Sequence, residues 1–102
     1  MQLPLAEPSV IFQPVPDGAV LFSPATEIYF GLNEVGSLVW QLLPPASSSL
    51  DDLCARVGAT YPDADAATIR ADVSDLLADL AREGLVLPPK ESGARSDDRA
   101  DG

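Results

Sequence analysis

The 102-residue sequence contains no histidine and one cysteine, Cys54. The first absence removes an imidazole general base, His-ligated metal and the usual Ser or Cys triads. The second excludes an internal disulfide and any four-thiolate metal site. Cys54 falls on the apolar face of a predicted helix and reads as a small hydrophobe, with no histidine to activate it. Basic residues are scarce as well: six Lys+Arg stand against 16 Asp+Glu, a formal net charge of −10. A nucleic-acid binder needs a basic face to neutralise phosphates, and this chain has none. A peptide with basic or apolar anchors fits the balance better, and so does the plainer reading that surplus acid keeps a small protein soluble. No G-x-G-x-x-G or G-x-x-x-x-G-K-[ST] stretch offers a phosphate cradle, and no cofactor is expected. Catalytic carboxylate pairs need burial or close apposition, whereas the carboxylates here fall on predicted exposed flanks and in the tail. No stretch approaches a membrane span, and MQLPLAEPSV lacks the basic start and apolar run of a signal peptide. The cytoplasm is the expected compartment, and a binder rather than an enzyme is expected.

What is present is 46% hydrophobic residues, enough for the core of one small domain. The organising stretch is Thr26 to Leu43, TEIYFGLNEVGSLVWQLL. Thr26, Glu27, Ile28, Tyr29 and Phe30 alternate polar and apolar and predict a strand. Gly31 releases the backbone, and Asn33 stands where a helix N-cap would. From Val35 the period becomes helical, with Val35, Leu38, Val39 and Leu42 on one face. Trp40 lies off that stripe and is expected to close the core against another element.

Upstream, Ser9–Gln13 and Ala19–Ser23 predict two further strands joined by a Pro16-Asp17-Gly18 turn. Residues 1–7 read as a loose, flexible lead-in. The three strands form an antiparallel meander that helices must cover on one face. The first helix stops at Pro44-Pro45. Ser49 with Asp52 resembles a capping box for a second helix, which runs to about Tyr61 with Leu50, Leu53, Cys54 and Val57 on one face. Asp65 is the expected N-cap of a third helix, Ala66 to Glu83, with Gly84 as its stop. Ile69, Val73, Leu76, Leu77 and Leu80 make the apolar stripe of that helix. Asp72, Asp75, Asp79 and Glu83 gather on one flank; Arg70, Ser74, Ala78 and Ala81 form the other, with Leu77 at its border. The smooth second flank suits a groove wall, and equally reflects the helix propensity of alanine. From Pro88 onward the sequence predicts a disordered acidic tail over 88–102, leaving one domain over 8–87.

YFGLNEVGSLVWQLL, a second helix ending in ATY, and DVSDLLADLAREGLV, in that order, resemble the PqqD family across about Asp17 to Val86. The resemblance implies an α+β fold, winged-helix-like, with a three-stranded antiparallel sheet followed by three helices. It also implies a non-catalytic peptide chaperone that holds the leader segment of a ribosomally made precursor peptide. The leader would add as a strand to the third strand, beside the third helix. The partner would be a radical-type modifying enzyme, as in pyrroloquinoline quinone (PQQ)-type synthesis, or a leader peptidase, as in lasso-peptide assembly. The expected peptide-binding residues are Thr26, Glu27, Ile28, Tyr29 and Phe30. Our own helical geometry adds Arg70, Val73, Ser74 and Leu77 as the wall. A winged-helix transcriptional regulator is the alternative, and a plain dimerisation subunit a more distant one. The acidic third helix counts against the regulator, because it would repel phosphate.

Overall fold

The computed structural model describes residues 2–89. Its elements run β1 (Leu5–Ala6), β2 (Ile11–Val15), β3 (Gly18–Ser23), β4 (Ile28–Asn33), α1 (Glu34–Gln41), α2 (Leu50–Thr60), α3 (Ala66–Arg82) and β5 (Val86–Leu87). The expected α+β order is present, an antiparallel β2-β3-β4 sheet followed by three helices. A two-stranded ribbon, β1 against β5, is added to it.

Side chains alternate across the sheet as the pleat requires. Ala19, Leu21 and Ser23 of β3 are buried, and Leu32 of β4 joins them. Ile28 and Phe30 are partly buried against the same core. The helices cover this face only. The opposite face shows Ile11, Val15 and Tyr29 to solvent, with the Tyr29 ring against Phe22 at 4.7 Å between centroids. Val39 of α1, Leu53 and Val57 of α2, and Val73 and Leu80 of α3 complete the centre, each at most 1% exposed. Trp40 is half-buried and packs against this cluster, as expected.

The helix ends follow the sequence signals. Asn33 Oδ1 accepts the Gly36 N–H at 2.8 Å, so the last strand residue is also the N-cap of α1. Ser49 caps α2 through the Asp52 N–H, while the Asp52 carboxylate accepts from the Ser48 N–H. That is a capping box displaced by one residue. Asp65 caps α3, and Gly84, at φ +74°, closes it with Leu85 N–H donating to the Leu80 carbonyl at 2.9 Å.

Three expectations are corrected. The first strand is Ile11–Val15 rather than 9–13, with Pro14 and Val15 inside it. β2 is an edge strand, and proline is tolerated where its missing N–H would face solvent. The turn is then only Pro16-Asp17, and Gly18 begins β3 at φ +154°, where a Cβ would meet the Leu32 carbonyl oxygen at 1.9 Å. The third strand is Ile28–Asn33 rather than 26–30. Thr26 and Glu27 belong to the four-residue turn before it, closed by the Glu27 N–H on the Ser23 carbonyl at 2.7 Å. Gly31 is an ordinary strand residue, and the strand-to-helix corner falls at Asn33. Lastly, the lead-in carries structure: Leu3 is 3% exposed and Leu5–Ala6 pair with Val86–Leu87. The tail expected from Pro88 lies, past Pro89, outside the described residues.

Candidate functional site

In an antiparallel ladder a residue's N–H and C=O point to the same neighbour, and successive residues point to opposite sides. The two-residue turn closes on the Val15–Gly18 pair, so Gly18, Val20 and Phe22 aim their backbone groups at β2. Ala19, Leu21 and Ser23 therefore bond to Leu32, Phe30 and Ile28 of β4. This phase leaves Pro14 of β2 facing away from β3, the one direction in which a missing N–H costs nothing. It also leaves the backbone groups of Tyr29 and Gly31, and the N–H of Asn33, aimed out of the sheet. Among the described residues β4 pairs with β3 alone, so this side is an open edge.

Beside that edge lies a groove of about 430 Å³ between β4, α1 and α3. Phe30, Leu32, Val35, Val39 and Val73 supply its apolar floor, and Gly36 lets α1 lie close to β4. Asp72, Leu76 and Asp79 form the α3 rim, one line of the helix at spacings of four and three. Asp79 pairs with Arg82 within the same helix. Among the described residues no cluster of His, Cys, Asp and Glu could hold a metal ion.

A second cavity, about 600 Å³, lies on the other side of α3. Ser74, Leu77, Ala78 and Ala81 line it from the helix, and Val86, Leu87 and Pro88 from the ribbon and the residue after it. It has no part of β4 in its wall.

The expected site residues divide accordingly. Ile28, Tyr29 and Phe30 lie in the edge strand; Thr26 and Glu27 lie in the turn before it. Val73 lines the groove. Ser74 and Leu77 line the second cavity, and Arg70 pairs with Asp51 of α2 on the helix surface. The smooth flank of α3 thus faces the terminal ribbon, and the acidic flank faces the strand edge, the reverse of the expectation. Leu76 carried the signal that was missed: it lies on the core stripe, yet among the aspartates rather than the alanines. Burial, the largest influence, and the Asp51 carboxylate push the Cys54 thiol up against the opposing pull of Arg70, away from reactivity.

A small α+β domain with an unpaired strand edge facing a helical groove is what fold and site define. The comparisons agree with that class. The family model described as coenzyme PQQ synthesis protein D (PqqD) matches residues 18–86, and the chain belongs to this family. Among solved structures, one described as TbiB1 in complex with the TbiA(beta) leader peptide is similar at 30% identity. The likeness covers 89% of this chain and 99% of that one, with a TM-score of 0.70. No curated protein matches the chain.

Proposed function

We propose that this chain is a non-catalytic peptide chaperone of the cytoplasm, where ribosomal products are made. It binds the leader segment of a precursor peptide by strand addition to β4 and presents it to a radical-type modifying enzyme or a leader peptidase. The observation that carries the reading is the open β4 edge, with Tyr29, Gly31 and Asn33 offering backbone groups beside an apolar groove. Edge N–H and C=O groups supply affinity without regard to sequence, while the groove sorts side chains. TbiB1, solved with a leader peptide, is similar over nearly its full length and supports the same reading.

Binding of this kind rests on buried side chains. Each leader side chain sunk into the floor contributes on the order of 1.5–3 kcal/mol, so truncating one weakens binding roughly tenfold or more. Raising salt from about 50 to 200 mM changes affinity modestly, because few exposed charge pairs are screened. The test is a titration of the full chain with the leader of its cognate precursor, followed by amide chemical shifts. Changes are expected along Ile28–Asn33 and around Asp72–Asp79. Changes confined to α2 contradict the placement, and tight, steeply salt-dependent binding of duplex DNA with no leader binding overturns the function.

A further inference from the structure

The groove that the preceding reading assigns to the leader has a charge as well as a shape, and the inference rests on that reading. None of the residues lining it is basic. The arginines of the described segment are engaged elsewhere or locally: Arg56 pairs with Asp52, Arg70 with Asp51, and Arg82 with Asp79. Asp72 is exposed on the rim and has no ion-pair or hydrogen-bond partner among the described residues. Asp79 stands two helical turns further on, its charge already shared with Arg82, and Leu76 separates the two. An extended segment laid on β4 sends alternate side chains to the groove side. The side chain that reaches the Asp72 end therefore meets an unneutralised carboxylate beside an apolar floor.

We propose that Asp72 sets a charge preference in the bound peptide: the strand carries a lysine or arginine where it meets Asp72, with apolar residues at neighbouring positions on the same face. The long aliphatic stem of either residue lies along Val73 and Leu76 while its head group reaches the carboxylate. An acidic residue at that position meets like charge at Asp72 and again at Asp79. Shape alone does not exclude it, so the discrimination is electrostatic and resides mainly in one side chain.

The probe is a display library of random peptides of about 12 residues, long enough to cover one strand. It is selected in parallel against the full chain, against Asp72→Asn and against Asp72→Lys. Asp72 is exposed and has no partner among the described residues, so both variants are expected to fold. The expected result is one basic position within an alternating apolar pattern on the unmodified chain. The preference disappears with Asp72→Asn and turns acidic with Asp72→Lys, while the apolar positions stay the same. A peptide selected on the unmodified chain binds Asp72→Asn about two- to fivefold more weakly, the range of a partly exposed ion pair. The same apolar pattern without a basic position overturns the inference and leaves strand addition standing. So does a basic position that Asp72→Lys does not change. A selection with no enriched peptide, or one whose peptides shift amides away from β4 and α3, overturns both.

Discussion

The two sides of α3 are built from similar materials and left in different states. On one side Ser74, Leu77, Ala78 and Ala81 meet the β1–β5 ribbon, which the chain itself supplies from residues far apart in sequence. On the other side Asp72, Val73, Leu76 and Asp79 meet β4, whose outer edge has no partner among the described residues. The alanine side looks like a surface made for contact, and the fold uses it: Leu3, Leu85 and Val86 are buried nearby. The aspartate side looks like a solvated face, yet it borders the open edge of β4. A side chain's polarity therefore says less about a binding groove than the backbone opposite it does. Unpaired N–H and C=O groups must find water or a ligand, and an edge beside a groove favours a strand-forming ligand.

The sharpest way to separate the two sides is to weaken the ribbon. Leu3→Ala removes a buried side chain, 3% exposed, and is expected to cost about 2–3 kcal/mol of stability. For a domain of this size that lowers the melting temperature by roughly 10 °C or more. Well below the transition, peptide affinity should be unchanged, because Leu3 is not among the residues that line the groove beside β4. Thermal melting and a titration on the same sample check both halves. A Leu3→Ala protein of unaltered melting temperature would mean that the lead-in is loose after all.

Next in size is a matched pair of substitutions across α3. Leu76→Glu places a carboxylate in the groove rim and should weaken leader binding tenfold or more, about 1.4 kcal/mol. Ala78→Glu, equally exposed to helix propensity and charge, should change it less than twofold. Both sites tolerate the change, since Leu76 is half-buried at the rim and Ala78 is exposed. Equal losses would mean that the peptide occupies both sides or neither.

How much of this was legible in the sequence follows the range of each interaction. Local devices were readable: Asn33, Ser49 and Asp65 cap the helices through bonds spanning three residues, and Gly84 stops α3. The three-strand, three-helix order was readable from periodicity. The β1 half of the ribbon was not, since Leu5 and Ala6 carry no periodic signal and pair with residues about eighty positions away. The orientation of α3 was not readable either. A stripe with two different flanks fixes which face is buried, but which flank meets β4 depends on tertiary packing. Of the expected residues, Val73 lines the groove beside β4, and Ile28 to Phe30 lie in the edge strand.

A smaller effect probes the turn that holds Thr26 and Glu27 outside the edge strand. Glu27 holds φ +61°, a left-handed conformation that costs a non-glycine residue about 1 kcal/mol. Glu27→Gly should therefore raise stability by about 0.5–1 kcal/mol, the freer unfolded chain offsetting part of the gain. Leader affinity should stay the same, because Glu27 precedes the edge strand. If affinity falls while stability rises, the peptide contacts the turn and the site extends beyond β4.

The smallest effect contrasts two aspartates with different employment. Asp52 accepts the Ser48 N–H at 2.9 Å and pairs with Arg56 at 3.1 Å, while Asp72 has no partner among the described residues. The backbone hydrogen bond from Ser48, which outweighs partial desolvation, and then Arg56 hold the Asp52 carboxyl below its ordinary value of 3.8. A group whose folded pKa is depressed contributes stability that is present above the unfolded value and lost as pH falls through the folded one. Asp52→Asn should thus be less stable than the unmodified chain at neutral pH, and the gap should narrow below about pH 4. Asp72→Asn should match the unmodified chain at neutral pH within about 0.5 kcal/mol, since no hydrogen bond or ion pair among the described residues uses that carboxylate. Denaturant melts at neutral and acid pH measure both. If Asp72→Asn proves the more destabilising of the two, its carboxylate is committed to the fold and is not free to meet a peptide. If only Asp52→Asn is destabilising, the acid in the cap supports the helix and the acid on the rim is left for binding.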